Sequence, residues 1–235
     1  MEESHYVGAY WLARPESVEE CARRAEAFFR LLAPCDPLLS RWFRKGWTLE
    51  EALQNRFEPR MEEFVRVFSQ KKEEYPLGGV RLGVWNGEVN GAADVSVDCG
   101  EASVWVPNSS LVHLPEEGPA AERLFQVATL CQILRAMVLA WEPEWGVATS
   151  GSHRDRVSDS GTAGTFVGWV TYFSHRRGPI PALPPPVRVE PVEDKGSLII
   201  LTPERISAEH VELARTVTAL LDQAGLIGPL KPWDS

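Results

Sequence analysis

The sequence predicts a single α+β domain in which a largely antiparallel sheet packs against several helices. Three observations lead to this prediction. Residues 13–76 have mainly helical periodicity, residues 80–114 change to a period of two around an Asn-Gly turn, and an almost uniformly apolar helical stretch at 119–141 precedes two apolar strand-length runs. The 235 residues fit one large domain, 1–235, with a helical N-terminal third at 13–76 and a sheet-and-helix core at 77–225.

The first third begins with a strand and continues with helices. The run from His5 to Leu12 is rich in aromatic and β-branched residues, which favour strands. Two capping-box patterns, Ser17 with Glu20 and Thr48 with Glu51, predict helix starts. A third helix is predicted by apolar residues at helical spacing, namely Met61, Phe64, Val65 and Phe68.

The segment from Leu82 to Asp98 combines turns with a one-sided strand. Asn-Gly pairs accept the positive φ values of tight hairpin turns, and two such pairs begin at Asn86 and Asn90. The alternation that follows predicts one apolar face and one polar face, the polar one formed by Asp94, Ser96 and Asp98. An acidic row of this kind suits a basic partner, although a solvated outer face is the simpler interpretation.

The second half is predicted to hold a long helix, two strands and a final helix. Pro119 fits the first turn of the long helix, which ends near Trp141 and is expected to lie buried against the sheet. The final helix begins near Ser207 and stops at Gly225. The remaining segments are a polar loop at 150–161, strands at 166–173 and 197–202, and a proline-rich extended connector at 179–186.

Composition and charge limit the classes of function. The chain carries 24 basic and 33 acidic residues, a formal charge of −9, which argues against direct binding of nucleic acid. The same charge would attract a cationic protein and speed the encounter, although solubility alone also explains it. Met1 is not followed by a basic region and an apolar run, so a cytoplasmic location without membrane association is expected.

The sequence contains no signature of a cofactor or metal site. The glycines at 161–168 precede a strand and lack a following Lys, which excludes a phosphate-binding loop, and neither the five histidines nor the four cysteines are spaced as metal ligands. One enzymatic alternative remains open, a small hydrolase that uses His153, Asp155 and a nearby Ser of the 150–161 loop. A Gly-x-Ser-x-Gly elbow is missing, so a solvated loop is favoured over this active site.

Several short blocks resemble a known family. They are Tyr6-Val-Gly-Ala-Tyr10-Trp11, Arg14-Pro15-Glu16-Ser17, Glu20-Cys21-Ala22, Gly83-Val-Trp85-Asn86-Gly87, Val167-Gly168-Trp169-Val-Thr171-Tyr172 and Gly196-Ser-Leu-Ile. In this order, over residues 5–225, they resemble the immunity protein 52 family of bacterial polymorphic toxin systems. The resemblance implies a non-enzymatic protein that binds and neutralises a nuclease toxin of the restriction-endonuclease fold. It transfers no toxin-contacting residue to this chain.

We therefore predict an acidic immunity protein that binds a cognate toxin of a polymorphic toxin or type VI secretion system, without catalysis, cofactor or metal. The contact residues predicted from the sequence are the aromatic Trp85 and the acidic residues Glu88, Asp94, Asp98, Glu101, Asp155 and Asp159. The hydrolase remains the enzymatic alternative. A third alternative is a structural subunit of a secretion or phage-like assembly, docked through the connector at 179–186.

Overall fold

A computed structural model describes residues 4–104, 106–158, 166–204 and 210–230. The α-helices in these ranges are α1 (Val18–Leu32), α2 (Leu49–Gln54), α3 (Met61–Glu74), α4 (Gly118–Leu124), α5 (Val127–Trp141), α6 (Gly151–Val157) and α7 (His210–Gln223). The strands are β1 (His5–Trp11), β2 (Trp42–Arg44), β3 (Arg56–Phe57), β4 (Val80–Trp85), β5 (Asp94–Cys99), β6 (Asn108–Leu114), β7 (Trp145–Ser150), β8 (Val170–Ser174), β9 (Arg188–Val192) and β10 (Gly196–Ile200).

Side-chain caps start α1 and α2 at the predicted positions. Ser17 Oγ accepts a hydrogen bond from the Glu20 N–H at 3.2 Å, and the Glu20 carboxylate accepts one from the Ser17 N–H at 2.8 Å. Thr48 Oγ1 accepts from the Glu51 N–H at 3.1 Å, whereas the Glu51 carboxylate accepts from Trp47 instead of Thr48. Both helix starts are confirmed, because capping depends on residues three positions apart and needs no tertiary contact.

The strands form one antiparallel sheet in the order β3-β2-β4-β5-β6-β1-β7-β8-β10-β9. β1 lies in the middle between β6 and β7. The predicted α+β fold with a largely antiparallel sheet is therefore confirmed, and β4, β5 and β6 are the strands predicted between residues 80 and 114. The sequence analysis missed β2, β3, β7 and β9, and it placed the start of β8 four residues too early.

Two further predictions were wrong in part. The predicted long helix is interrupted after Leu124, and α4 meets α5 at an angle of 70°. The predicted polar loop from residue 150 begins as the short helix α6, capped by Ser150. The predicted start of the final helix at Ser207 lies outside the described residues.

In the described part of the chain, the bent α4–α5 pair has the length and composition of a membrane span, but no single helix does.

The helices cover the two faces of the sheet unequally. α1, α3 and α5 pack on one face, where their apolar residues share a core with the inward residues of most strands. α7 packs on the other face, against Trp145, Val147, Phe173 and Ile199 of β7, β8 and β10. β7 and β8 are consequently buried on both faces, whereas β4, β5 and β6 alternate between buried and accessible residues. Among the described residues, no helix covers the other face of β4–β6.

Candidate functional site

The uncovered face of β4, β5 and β6 is the candidate site, and we call it the open face. Strand register arranges its residues in three rows across the strands. The rows are Trp85, Asp94 and His113, then Gly83, Ser96 and Leu111, then Arg81, Asp98 and Ser109. The acidic row predicted from alternation in β5 is thus at the centre of an accessible sheet surface.

Each carboxylate in the central strand has a basic neighbour on an adjacent strand. Asp94 Oδ1 lies 3.0 Å from His113 Nδ1 on β6, and Asp98 accepts a hydrogen bond from the Arg81 guanidinium on β4. The Arg81 side chain is 77% exposed and the pKa of its guanidinium is raised by this bond to Asp98. Each carboxylate of the open face therefore has a side-chain partner on a neighbouring strand, which the sequence could not reveal because the pairing depends on strand register.

The turn between β4 and β5 is longer than the predicted tight turn, and the buried Asn86 side chain organises it. Asn86 Oδ1 accepts hydrogen bonds from the N–H groups of Glu88 and Ala93, at 3.2 and 3.1 Å, and its amide donates to the Gly91 carbonyl at 3.1 Å. Gly87 has a positive φ of 82° and packs against the ring of Phe43. The Asn86 side chain thereby makes hydrogen bonds across the eight-residue loop 86–93 that backbone groups make in a tight turn.

Trp85 and Glu88 border the open face on the β2 side. The Trp85 ring is half-buried, with its centroid 6.4 Å from that of Phe43 on β2. Glu88 forms an ion pair with Arg41 at 2.8 Å, with both side chains exposed. The predicted surface aromatic is thus partly a packing residue, while the most exposed tryptophan among the described residues is Trp47, at 97%. Sequence reasoning missed Trp47, since nothing local distinguishes it from buried tryptophans.

Glu101 lies at one end of the open face, beside a cleft of about 610 Å³. Its carboxylate accepts hydrogen bonds from the N–H groups of Ser103 at 2.9 Å and Gly79 at 3.1 Å, which lower its pKa. The same cleft is lined by Arg81, Asp98 and the exposed Tyr75 and Val106, among others. Two of the predicted contact residues, Asp98 and Glu101, are therefore brought together here.

A second cleft, of about 640 Å³, lies at the opposite end of the same strands. Its lining includes Asp94 and His113 together with the exposed Glu116 and Glu117. Val89, from the β4–β5 loop, contributes an exposed apolar side chain. The two clefts and the surface between them offer a partner both polar and apolar contacts.

Of the two remaining predicted contact residues, Asp155 lies apart from the centre of this surface. Asp155 is on α6, where it is 67% exposed and pairs with Arg154 at 2.9 Å. Arg154 also interacts with the Tyr6 hydroxyl, so α6 adjoins the strand next to the open face. Asp159 lies outside the described residues. The structure thus gathers five predicted residues around β4–β6 and places Asp155 at a border.

The hydrolase geometry is not supported at His153. This residue is buried on α6, and its Nε2 atom lies 2.9 Å from the Val167 carbonyl oxygen. Ser150 Oγ accepts a hydrogen bond from the His153 backbone N–H, which is the helix cap of α6. These contacts give His153 and Ser150 structural roles, whereas the hydrolase alternative required His153 to converge with Asp155 and a Ser of the loop on a substrate.

The chain is similar to known proteins over almost its whole length. A family model described as immunity protein 52 matches residues 3–230. No curated protein matches the chain. Four chains among the solved structures match, and one of them is described as the Pseudomonas aeruginosa T6SS protein PA0821. That match has a TM-score of 0.52 and 15% sequence identity, and it covers 95% of this chain and 75% of the other, so the two share a fold.

Proposed function

The chain belongs to the immunity protein 52 family, and from this premise we propose that it binds and neutralises a cognate nuclease toxin through the open face of β4, β5 and β6. The family implies a toxin as partner. The T6SS description of the similar Pseudomonas aeruginosa protein supports a role for this chain and its toxin in a secretion system of that type.

The observation that carries the contact surface is the unequal covering of the sheet. Helices bury β7 and β8 on both faces, but the equally regular strands β4–β6 keep one face accessible. An open sheet face with an aromatic residue at its border and clefts at both ends has the polar and apolar mixture of protein interfaces. The proposal assigns contact roles to Trp85, Glu88, Asp94, Asp98 and Glu101, with Asp155 at the border.

The negative net charge of the chain supports a basic partner such as a nuclease. Nucleases hold phosphates with basic surfaces, and this chain has a formal charge of −9. The pairing of Asp98 with Arg81 and of Asp94 with His113 keeps these carboxylates in place before binding. Preordered carboxylates reduce the entropy lost when a partner binds, so a basic toxin residue can share them without a rearrangement of the strands.

The test is co-expression with the toxic protein encoded by the neighbouring reading frame. Survival of cells that carry this chain, and death of cells without it, is the expected result. With purified proteins, we expect Asp94→Ala and Asp98→Ala each to slow association at low ionic strength and to weaken its dependence on salt.

The matched control is Asp194→Ala, which removes the same charge from an exposed side chain in the β9–β10 turn. It should associate nearly as fast as the natural chain. If all three variants associate at one rate, the open face is not the contact surface. If co-expression gives no protection, the neutralising role itself is refuted.

A further inference from the structure

The outer edge of β4 is only half covered by its neighbour. β2 pairs with β4 at two positions, Phe43 with Trp85 and Arg44 with Val84. The chain then leaves the sheet and turns through Gly46 into α2. In the described part of the chain, no strand pairs with residues 80–83 of β4 on that side.

Strand register identifies the backbone groups that point to this free edge. The Asn86 N–H donates to the Ala93 carbonyl at 2.9 Å, at the end of the β4–β5 hairpin. Because hydrogen-bonded and non-bonded pairs alternate in antiparallel strands, Val84 and Leu82 also bond to β5. Arg81 and Gly83 therefore direct their N–H and C=O groups away from β5. Within the described ranges, these four groups have no hydrogen-bond partner.

The free edge is open to solvent. Arg81 and Gly83 are both exposed, and a Cβ atom placed on Gly83 would have no atom within 4 Å. The cleft of about 610 Å³ reaches this edge at Gly79, Val80 and Arg81. Unpaired backbone groups at an exposed strand edge are a ready template for another strand, and proteins usually cover or twist such edges.

We infer that the β4 edge at Arg81 and Gly83 binds one extended strand of the toxin, which continues the sheet where β2 departs. This inference rests on the proposed function and deepens it. Main-chain hydrogen bonds to the N–H and C=O groups of both residues hold the added strand, as in other complexes formed by strand addition. The strand lies beside Arg81 and Trp85, so edge and open face form one continuous interface.

The length of the edge and the net charge of the chain favour a foreign strand over a second copy of this chain. Four strand residues alone bury far less than the roughly 1,200 Å² typical of a stable interface, so the edge needs a partner that also contacts the open face. Two copies, each with a formal charge of −9, repel each other, whereas a basic toxin is attracted.

A matched pair of substitutions at Gly83 tests the inference. Gly83→Pro removes the outward N–H, which no strand in the described part of the chain uses, and proline is tolerated at such edge positions. Gly83→Ala retains that N–H and adds one methyl group in open space. With the toxic protein of the neighbouring reading frame as probe, Gly83→Pro should weaken binding about tenfold, the loss of roughly one hydrogen bond and its geometry.

Gly83→Ala keeps the edge N–H and places its methyl group on the open face, so it is the reference variant, and Gly83→Pro should bind the toxin about tenfold more weakly than Gly83→Ala. If both variants bind the toxin as tightly as the natural chain, the β4 edge is not the binding site of a toxin strand. If both lose affinity to the same extent, the toxin contacts the face of the sheet instead. Residue-resolved amide exchange on the natural chain gives an answer that does not depend on the folding of a variant. The amides of Arg81 and Gly83 should exchange quickly in the free protein and become protected in the complex, while Leu82 and Val84 are protected in both.

Protection of Arg81 and Gly83 in the free protein, with dimers in solution, would assign the edge to a second copy and overturn the inference. If the toxin binds without protecting these amides, the β4 edge does not bind a toxin strand, and the proposed function still stands. An absence of toxin binding overturns the proposed function first.

Discussion

Arg123 of α4 holds the Asp36 carboxylate with two parallel hydrogen bonds, from Nε to Oδ2 at 3.0 Å and from Nη2 to Oδ1 at 3.1 Å. Asp36 Oδ1 also accepts from the Leu38 N–H at 2.9 Å. The pair joins the segment after α1 to a helix 87 residues away in sequence. Burial by itself opposes the charge of Asp36, but the bonds from Arg123 and Leu38 outweigh it and lower the pKa.

We expect Asp36→Asn to destabilise the fold by about 1–3 kcal/mol at neutral pH, the range for a hydrogen bond to a charged group, with the low end favoured because Arg123 is half-exposed. Since folding lowers the pKa of Asp36, its contribution is complete at neutral pH and decreases as the pH falls below about 4. Urea unfolding of both proteins at several pH values measures this. A difference in stability that stays constant down to pH 2 would contradict the assignment.

Gly168, which lies just before β8, is required by close packing. A Cβ atom at this position would lie 2.6 Å from the Ala148 carbonyl oxygen and would overlap the Val147 side chain, both on β7. Gly168→Ala should therefore cost about 1–3 kcal/mol through overpacking. Gly83→Ala is the control, because its methyl group meets no atom within 4 Å. Thermal unfolding of both variants tests this prediction. An equal melting temperature for the two would show that Gly168 is not required by close packing.

Cys35 should react slowly although it is only partly buried. Its pKa is raised to about 11, first by burial and then by the neighbouring charge of Asp36. At pH 8 its thiolate fraction should be about two orders of magnitude below that of a free cysteine, and alkylation of the native protein should be slower to match. The rate should rise about tenfold per pH unit towards pH 11. Peptide mapping after maleimide labelling measures this, and complete labelling of native Cys35 within minutes at pH 8 would contradict it.

Ser17 should contribute to the stability of α1 through its cap. Ser17→Ala removes the acceptor for the Glu20 N–H and should cost about 1 kcal/mol. Ser17→Gly is a useful comparison, since glycine at a helix N-cap loses only a few tenths of a kcal/mol relative to serine. Chemical denaturation with circular dichroism detects both changes. Equal stability of the alanine variant and the natural chain would show that the cap is replaced by water.

Local signals predicted several elements correctly. α1 and α3 followed from caps and apolar spacing, and the β4–β5 hairpin followed from alternation on either side of Asn86. The strand β7 was missed because every residue from Trp145 to Ser150 is buried, so the alternation that marks a half-exposed strand is missing. The break between α4 and α5 at Phe125 was missed because no glycine or proline marks it.

The candidate site was predictable only in part. The acidic positions in β5 and their common face followed from a period of two. Their partners did not, since Arg81 and His113 are placed opposite Asp98 and Asp94 by the pairing of separate strands. The exposure of Trp47 and the free edge of Gly83 likewise depend on where β2 leaves the sheet.

The sequence by itself determined the α+β class, the family resemblance and the alternating face of β5, because these follow from residue identity and from interactions over a few positions. Only the tertiary structure decided that α7 covers β7 and β8 while β4–β6 stay open. The reason is that a helix buries its apolar stripe on one of several apolar strand faces, and the choice depends on distant contacts that local patterns do not encode.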